Sequence, residues 1–428
     1  MSIRNRIRNS TFVRQVIGLG GGVIVAHLIT LAVSPLITRI YTPEEFGVFA
    51  LFNSLVVILS LIATGAYEFS IVLPEKDRPA RNLFRLSLIL TLSFTLLCYL
   101  ALFFTAPYLS GITALSIPFL MLLPLGVIFH AGMNIFTYWF TRREYFDEFA
   151  TAKISMATGA GLFQVLIGFA GFTATGLLVG YIAGRISSIF TMAWQKLTEV
   201  KSLFRTWSRE NMSSVARLYS DHPKFVLLSS LLSMAAIELP VFLITSMFGN
   251  QELGFYGLAF RVLMAPVTLV SMSVGHVYFQ KFSARKNSGQ SLSSYLLKMW
   301  AVLFAIGILP FTLLYLFSEP IFAFIFGADW TDAGTVASIL SPMLLFTFIT
   351  NPTSKSLLVL DKQKVMPLFS AGSFIIRFAT LLTGYLFFDF FIALWLMAGG
   401  QILVYILQGL YTLYSARLAD RRSEIEKR

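Results

Sequence analysis

The sequence contains few charged residues and only one cysteine. Charged residues make up 13% of the 428 residues, hydrophobic residues make up 56%, and the mean hydropathy is +0.75. This composition is far from that of a soluble globular domain and indicates an integral membrane protein. The single Cys98 excludes an intramolecular disulfide and a metal site built from several thiolates.

Signatures of common enzymes are also missing. The sequence has no Walker A pattern and no HExxH motif, and its four histidines are scattered along the chain. The glycine run at residues 18–22 lies inside an apolar segment without a βαβ context, so close helix packing explains it better than a dinucleotide site. These absences favour a protein that is not an enzyme and that holds no metal or other cofactor.

Apolar runs long enough to cross a membrane dominate the chain. A crossing helix needs about 20 mainly apolar residues, and roughly twelve such runs are present, the second over residues 46–73. The fold class is therefore an all-α integral membrane protein with about 12 transmembrane helices. Four regions follow from the pattern: an N-terminal six-helix bundle (1–195), a cytoplasmic amphipathic linker on the inner leaflet (196–224), a C-terminal six-helix bundle (225–414) and a basic cytoplasmic tail (415–428).

Positive residues collect in alternate loops. With the N-terminus inside, 28 of the 33 Lys and Arg residues, Lys153 among them, fall in inner segments. The positive-inside rule then places both termini in the cytoplasm. Acidic residues such as Glu44, Glu252 and Asp329 occupy the outer loops. Most of the net charge of +12 therefore reflects membrane topology, and no nucleic-acid partner is expected.

Five cations do not follow this rule. A charge at the centre of a lipid-exposed helix costs roughly 3 kcal/mol even on insertion scales, so the central ones are expected to face an internal cavity and to bind an anionic headgroup or glycan. Snorkelling to the lipid headgroups is the alternative, above all for Arg39 and Lys355. The five residues are Arg39, Arg185, Arg261, Lys355 and Arg377.

Two acids lie inside predicted spans and are candidates for ion coupling. Glu68 falls in the inner third of the second span and Glu238 near the middle of the seventh, and each could exchange H+ or Na+. An ion pair of Glu238 with Arg185 or Arg377 is the alternative. Pro240, two residues after Glu238, removes a helical donor and is a candidate hinge.

An internal repeat indicates how the helices are arranged. Adding 207 to each position aligns the "LIT" of residues 36–38 with that of 243–245, Glu45 with Glu252, and Gly47 with Gly254. Because the shift crosses an even number of spans, the two copies have the same orientation. Two parallel six-helix bundles with a cleft between them are typical of an alternating-access transporter.

The chain resembles a polysaccharide flippase of the Wzx type, within the multidrug, oligosaccharidyl-lipid and polysaccharide (MOP) exporter superfamily. Three segments carry the resemblance, which covers essentially the whole chain: "PLITRIYTPEEFGVFALF" at residues 35–52, "FIFGADWTDAG" at 324–334 and "NPTSKSLLVLDKQK" at 351–364. The resemblance implies two six-helix bundles in a V-shaped, MATE-like arrangement. It also implies a location in the bacterial inner membrane.

The implied cargo is a polyprenyl-diphosphate-linked oligosaccharide repeat unit, moved from the inner to the outer leaflet for O-antigen, lipopolysaccharide, capsule or exopolysaccharide synthesis. A polysaccharide polymerase, a chain-length regulator and membrane lipid are the implied partners. A multidrug or other small-molecule exporter of the same superfamily is the main alternative. A polymerase or glycosyltransferase would need a large outer loop that this chain lacks, and a peptidoglycan-precursor flippase usually has two more helices.

Overall fold

We analysed a computed structural model of the chain, which describes residues 11–113, 116–204 and 209–426. These residues form helices and short connections, without a strand. Six of the basic residues counted above, Arg4, Arg6, Arg8, Arg205, Lys427 and Arg428, lie outside the described residues. The α-helices are α1 Thr11–Ile40, α2 Pro43–Thr64, α3 Asp77–Thr113, α4 Ile117–Arg142, α5 Phe146–Phe169, α6 Ala174–Gln195, α7 Leu197–Phe204, α8 Arg209–Leu218, α9 Leu227–Met247, α10 Asn250–Asn287, α11 Leu292–Phe326, α12 Thr331–Thr350, α13 Ser356–Val359, α14 Met366–Phe387 and α15 Phe390–Glu426.

Twelve helical segments within the described residues are long and apolar enough to cross a membrane. The expected all-α membrane fold with about 12 transmembrane helices is thereby confirmed. Six of the segments precede residue 196 and six follow residue 221. The segments are 21–40, 43–64, 77–110, 117–142, 146–169, 174–195, 222–247, 250–287, 292–326, 328–359, 363–387 and 390–423.

The chain divides into two compact units. The first contains Met1–Tyr41 and Val48–Ala235, and the second contains Thr42–Gly47 and Ala236–Arg428. The division therefore falls within α9 and assigns the short start of α2 to the second unit. The region predicted as a linker belongs to the first unit.

The repeat is visible in the helix boundaries. Helix α1 ends at Ile40 and α2 begins at Pro43, and adding 207 to these positions gives the last residue of α9 and the first residue of α10. Within the second unit, a Cβ atom on Gly47 would lie 1.7 Å from the Asn250 carbonyl oxygen, and one on Gly254 would lie 1.8 Å from the Pro43 oxygen. The 207-residue shift turns Gly47 into Gly254 and Pro43 into Asn250, so each glycine lies against the equivalent position of the other copy. The duplicated segments therefore cross backbone to backbone at two equivalent glycines.

The predicted linker packs against its own unit. Helices α7 and α8 bury Leu203 and Val215 in a cluster that includes Trp139 and Phe84. Glu199 on α7 accepts hydrogen bonds from Arg143 and from the Tyr145 hydroxyl. The apolar face expected against the inner leaflet is therefore used, at least at these two positions, against protein.

The predicted tail is helical and makes a capping contact. Helix α15 continues through Glu426, and Asp420 accepts hydrogen bonds from the backbone N–H groups of Leu292 and Ser293 at 2.7 and 3.0 Å. These N–H groups lie in the first turn of α11, where they lack partners inside their own helix. The tail region thus stabilises the start of another membrane helix.

Helix α2 ends earlier than the sequence suggested. Gly65 and Ala66 adopt left-handed backbone conformations, with φ of +61° and +59°, and a 3-10 helix, Tyr67–Val72, follows them. Glu68 therefore lies outside the second membrane helix, and its predicted position inside that span was wrong. The apolar run continues past the helix partly because Tyr67 and Ile71 are buried in protein.

Candidate functional site

The centre of α6 presents a half-buried arginine with few bonds. Arg185 is one turn after Tyr181, and its guanidinium carbon lies 3.2 Å from the centre of the Tyr181 ring. Its Nη1 donates to the Tyr181 carbonyl oxygen at 3.4 Å, and its buried Nε has no hydrogen-bond partner in the part of the chain that the structure describes. A guanidinium carries five N–H donors, so most of its capacity is unused.

Two further basic side chains share this environment. His130 on α4 lies with its Nδ1 2.8 Å from the Tyr181 hydroxyl oxygen. Lys153 on α5 has its ammonium 5.1 Å from the centre of the Phe149 ring. The charge of Arg185 acts on both His130 and Lys153. We call Arg185, Lys153, His130 and Tyr181 the α6 cluster.

Among the described residues, the α6 cluster has no acidic counterpart within ion-pair distance. The ion pairs among the described residues involve Arg142, Arg143, Lys196 and Lys286, and neither Arg185 nor Lys153 has a carboxylate oxygen within the 4.0 Å of an ion pair. Buried cations in membrane segments normally pair or face a polar cavity. The cluster is therefore suited to receive an anion.

Small residues fix the position of α6. A Cβ atom on Gly180 would lie 2.3 Å from the Gln164 side chain, and one on Gly184 would lie 2.7 Å from both the Ala160 side chain and the Met156 carbonyl. Helices α5 and α6 therefore approach at a distance that only glycine allows at these two positions. This packing brings Lys153 and Arg185 into one region of the first unit.

Arg377 has a different role from Arg185 in the structure. Helix α9 contains Pro240, which has no N–H to donate to the carbonyl of Ala236, four residues earlier. Arg377 Nη1, from α14, donates to this Ala236 oxygen at 2.6 Å. The guanidinium therefore supplies the hydrogen bond that the proline removes.

The other predicted binding cations occupy varied positions. Arg39 is exposed in the last turn of α1, and Arg261 is half-buried in α10. Lys355 is exposed just before α13, with its ammonium 5.9 Å from the centre of the Phe279 ring. The assignment of these three residues to substrate binding stays a prediction.

The two predicted coupling acids differ in their surroundings. Glu68 is buried, and burial raises the pKa of its carboxyl to about 7, although hydrogen bonds from Thr64 and the backbone oppose this shift. Its Oε2 has no hydrogen-bond partner within the described ranges. Glu238 is half-buried on α9 and acts electrostatically on Tyr256, as Arg377 does. Ion coupling by either acid stays a prediction.

Sequence reasoning missed three members of the α6 cluster. Lys153 was counted with the inner loop, but it is the eighth residue of α5, about 10 Å from the start of that helix. Tyr181 could have been found, since residues four apart on a helix are neighbours. His130 had no local signal, because its contact with Tyr181 joins two helices and the two residues are 51 positions apart in the chain.

Solved structures define the class of this fold. An inward-facing MATE-family multidrug resistance transporter of the MOP superfamily matches with a TM-score of 0.59 and 15% identity, covering 96% of both chains. An outward-facing transporter of that family matches with a TM-score of 0.61 and 16% identity, over 95% of this chain and 96% of that one. A MOP-superfamily transporter from Pyrococcus furiosus, described as having a binding pocket of reversed polarity that suggests a different function, matches with a TM-score of 0.61 and 14% identity, with the same coverage.

The fold is thus that of a MOP-superfamily membrane transporter. The polysaccharide biosynthesis protein family matches residues 36–335, which is more than half of the chain. The chain belongs to this family, and the expected likeness in fold to the MOP-superfamily transporters is confirmed. No curated protein sequence matches the chain.

Proposed function

We propose that this protein is a flippase that moves a polyprenyl-diphosphate-linked oligosaccharide repeat unit from the inner to the outer leaflet by alternating access. The product would serve the synthesis of an O-antigen, capsule or exopolysaccharide in the bacterial inner membrane. The proposal includes no enzymatic step and no bound cofactor.

The α6 cluster is the observation that carries this proposal. Arg185 and Lys153 place two cations inside membrane segments without an acidic partner among the described residues. The oxygens of a diphosphate can accept parallel hydrogen bonds from the Arg185 guanidinium. The Lys153 ammonium can attract the same group as a point charge. Family membership supports a cargo that belongs to polysaccharide synthesis.

A multidrug or other small-molecule exporter is the second candidate. The MATE-family structures with the same fold favour it, since two of them are described as multidrug resistance transporters. The charge of the α6 cluster disfavours it for cationic compounds, because two positive side chains without a described counter-charge would repel them. An anionic small molecule would fit both the fold and the charge.

Orientation, coupling and partners complete the proposal. Both termini would lie in the cytoplasm, and a gradient of H+ or Na+ would drive transport through Glu68 or Glu238. The cargo would pass to a polysaccharide polymerase and its chain-length regulator. Orientation is tested by single cysteines: one replacing Arg78 should react only from the cytoplasm and one replacing Glu44 only from outside, and the opposite pattern would overturn it.

Reconstituted transport tests the function directly. The purified chain, in proteoliposomes with a labelled polyprenyl-diphosphate oligosaccharide, should expose the glycan to an impermeant probe under an imposed ion gradient. Arg185→Ala and Lys153→Ala should each reduce this rate at least tenfold, since each removes one cation of a pair. Arg185→Lys should restore part of the rate because charge returns without the planar fork.

The control is Arg39→Ala, which removes an exposed cation at the end of α1. Its effect should be milder than that of Arg185→Ala, since solvent screens an interfacial charge. Wild-type transport by both Arg185→Ala and Lys153→Ala, at equal protein abundance, would remove the α6 cluster from the mechanism. Transport of cationic drugs in place of the glycan lipid would favour the second candidate.

A further inference from the structure

The Tyr181 ring lies under the Arg185 guanidinium, and its own position is fixed on several sides. Phe49 and Phe52, from α2, contact it edge-on with ring centres 5.9 and 5.8 Å away. His130, from α4, forms the hydrogen bond to its hydroxyl group. With only 2% of its surface exposed, Tyr181 cannot change its side-chain conformation without displacing residues from two other helices.

This arrangement restricts Arg185 as well. A guanidinium prefers to stack flat on an aromatic face, and the Arg185 guanidinium carbon, 3.2 Å from the Tyr181 ring centre, is too close to the ring for an edge-on approach. An arginine in a cavity otherwise has many rotamers, and binding an anion would cost the entropy of fixing one of them. Stacking fixes the plane in advance and leaves the Nε edge without a described partner.

We propose that Tyr181, held by Phe49, Phe52 and His130, is a positioning residue that fixes the Arg185 guanidinium for two-pronged binding of a phosphate or diphosphate group. The inference rests on the proposed function, because it assigns a ligand class to the same cluster. Tyr181 acts through Arg185. Its ring face is covered by the guanidinium, and its hydroxyl bonds to His130.

Binding measurements on the full chain in lipid nanodiscs test this role. The probes are a short-chain polyprenyl diphosphate, the matching monophosphate and inorganic pyrophosphate. Tyr181→Leu should weaken diphosphate binding roughly tenfold, since Arg185 keeps its charge but loses its fixed plane. Tyr181→Phe should lose less, because the stack stays and the bond to His130 is lost. The matched control is Phe190→Leu, which removes an exposed aromatic ring from the same helix.

A double-mutant cycle separates positioning from general stability. If Tyr181 acts through Arg185, Tyr181→Leu should cause no further loss of affinity in an Arg185→Ala background. Independent, multiplying losses would overturn the proposal, as would full diphosphate affinity in Tyr181→Leu. Should Tyr181→Leu fail to fold, the same cycle with Tyr181→Phe decides, since its smaller loss should also vanish without Arg185.

The probes also separate this inference from the proposed function. A wild-type chain that binds none of the three probes would contradict the flippase proposal itself. Wild-type binding that is unchanged in both Tyr181 variants would refute only the positioning role. Equal affinity for inorganic pyrophosphate and the polyprenyl diphosphate would identify a free phosphate compound as the ligand, whereas preference for the lipid form would identify a lipid headgroup.

Discussion

Arg377 is predicted to stabilise helix α9 at its proline. Its guanidinium bonds to the carbonyl of Ala236, which is buried and which Pro240 deprives of its helical donor. Hydrogen bonds to charged groups contribute about 1.5–3 kcal/mol, and a buried carbonyl without a partner costs a similar amount. Arg377→Ala should therefore lower the free energy of unfolding by about 2 kcal/mol.

The proline supplies the decisive comparison. Pro240→Ala restores a backbone N–H that can reach the Ala236 carbonyl, so Arg377 is no longer needed there. In the Pro240→Ala background, Arg377→Ala should cost about 1 kcal/mol or less, which gives a coupling of about 1 kcal/mol or more. Arg39→Ala changes an exposed side chain, so it should alter the stability little and serves as the control.

The assay is denaturant unfolding of the purified chain in a mild detergent, with each variant measured at the same lipid content. Equal costs of Arg377→Ala in both backgrounds would refute the reasoning. Loss of transport with unchanged stability would instead favour the role first predicted for Arg377, in which it binds cargo. Arg377→Lys should keep much of the stability, because one donor is enough to satisfy the carbonyl.

Two further predictions concern other buried positions. Burial raises the pKa of Glu68 from 4.5 to about 7, so its ionisation opposes folding: the penalty is absent below pH 4.5, grows as the pH rises to about 7 and then amounts to about 3 kcal/mol. Glu68→Gln should flatten this decline in thermal stability with rising pH, whereas Glu75→Gln, at an exposed position, should preserve it. Identical profiles for the unchanged protein and both variants would show that Glu68 ionisation does not oppose folding. Gly47→Ala and Gly254→Ala should each destabilise the chain by about 1–3 kcal/mol by crowding a neighbouring backbone, but Gly399→Ala, with open space around it, should not. The double variant should lose no more stability than either single variant, since both substitutions disrupt the same crossing. Fully additive losses would argue against a shared contact.

The architecture was predictable because its signals are local or repeated. An apolar run of about 20 residues indicates a membrane helix, whatever that helix packs against. The 207-residue shift needed only a comparison of the sequence with itself, and the ends of α1 and α9 agree with it to the residue. Neither inference required knowledge of which helices touch.

Helix ends were less predictable where an apolar sequence is compatible both with burial in protein and with membrane insertion. The apolar residues after Thr64 extended the second predicted span, yet they form a 3-10 segment, with Tyr67 and Ile71 buried, beyond a left-handed turn. Gly65 was the available signal for that turn, since glycine adopts a positive φ without strain. Hydropathy alone cannot separate residues buried in protein from residues in contact with lipid.

Arg185 and Arg377 show why charge in a span does not by itself identify a binding site. Each is the twelfth residue of a 22-residue helix, so the sequence gives them equal standing. The difference is created by neighbours distant in the chain: Pro240 leaves a carbonyl for Arg377 to satisfy, whereas Tyr181 covers one face of Arg185 and leaves its buried Nε without a described partner. Arg377 uses one donor in a short bond to a carbonyl that has lost its helical partner, whereas the one bond of Arg185 is longer and its buried Nε stays available to an anion. Among the central arginines first predicted to hold an anion, Arg185 is therefore the one whose removal should act on transport before it acts on folding.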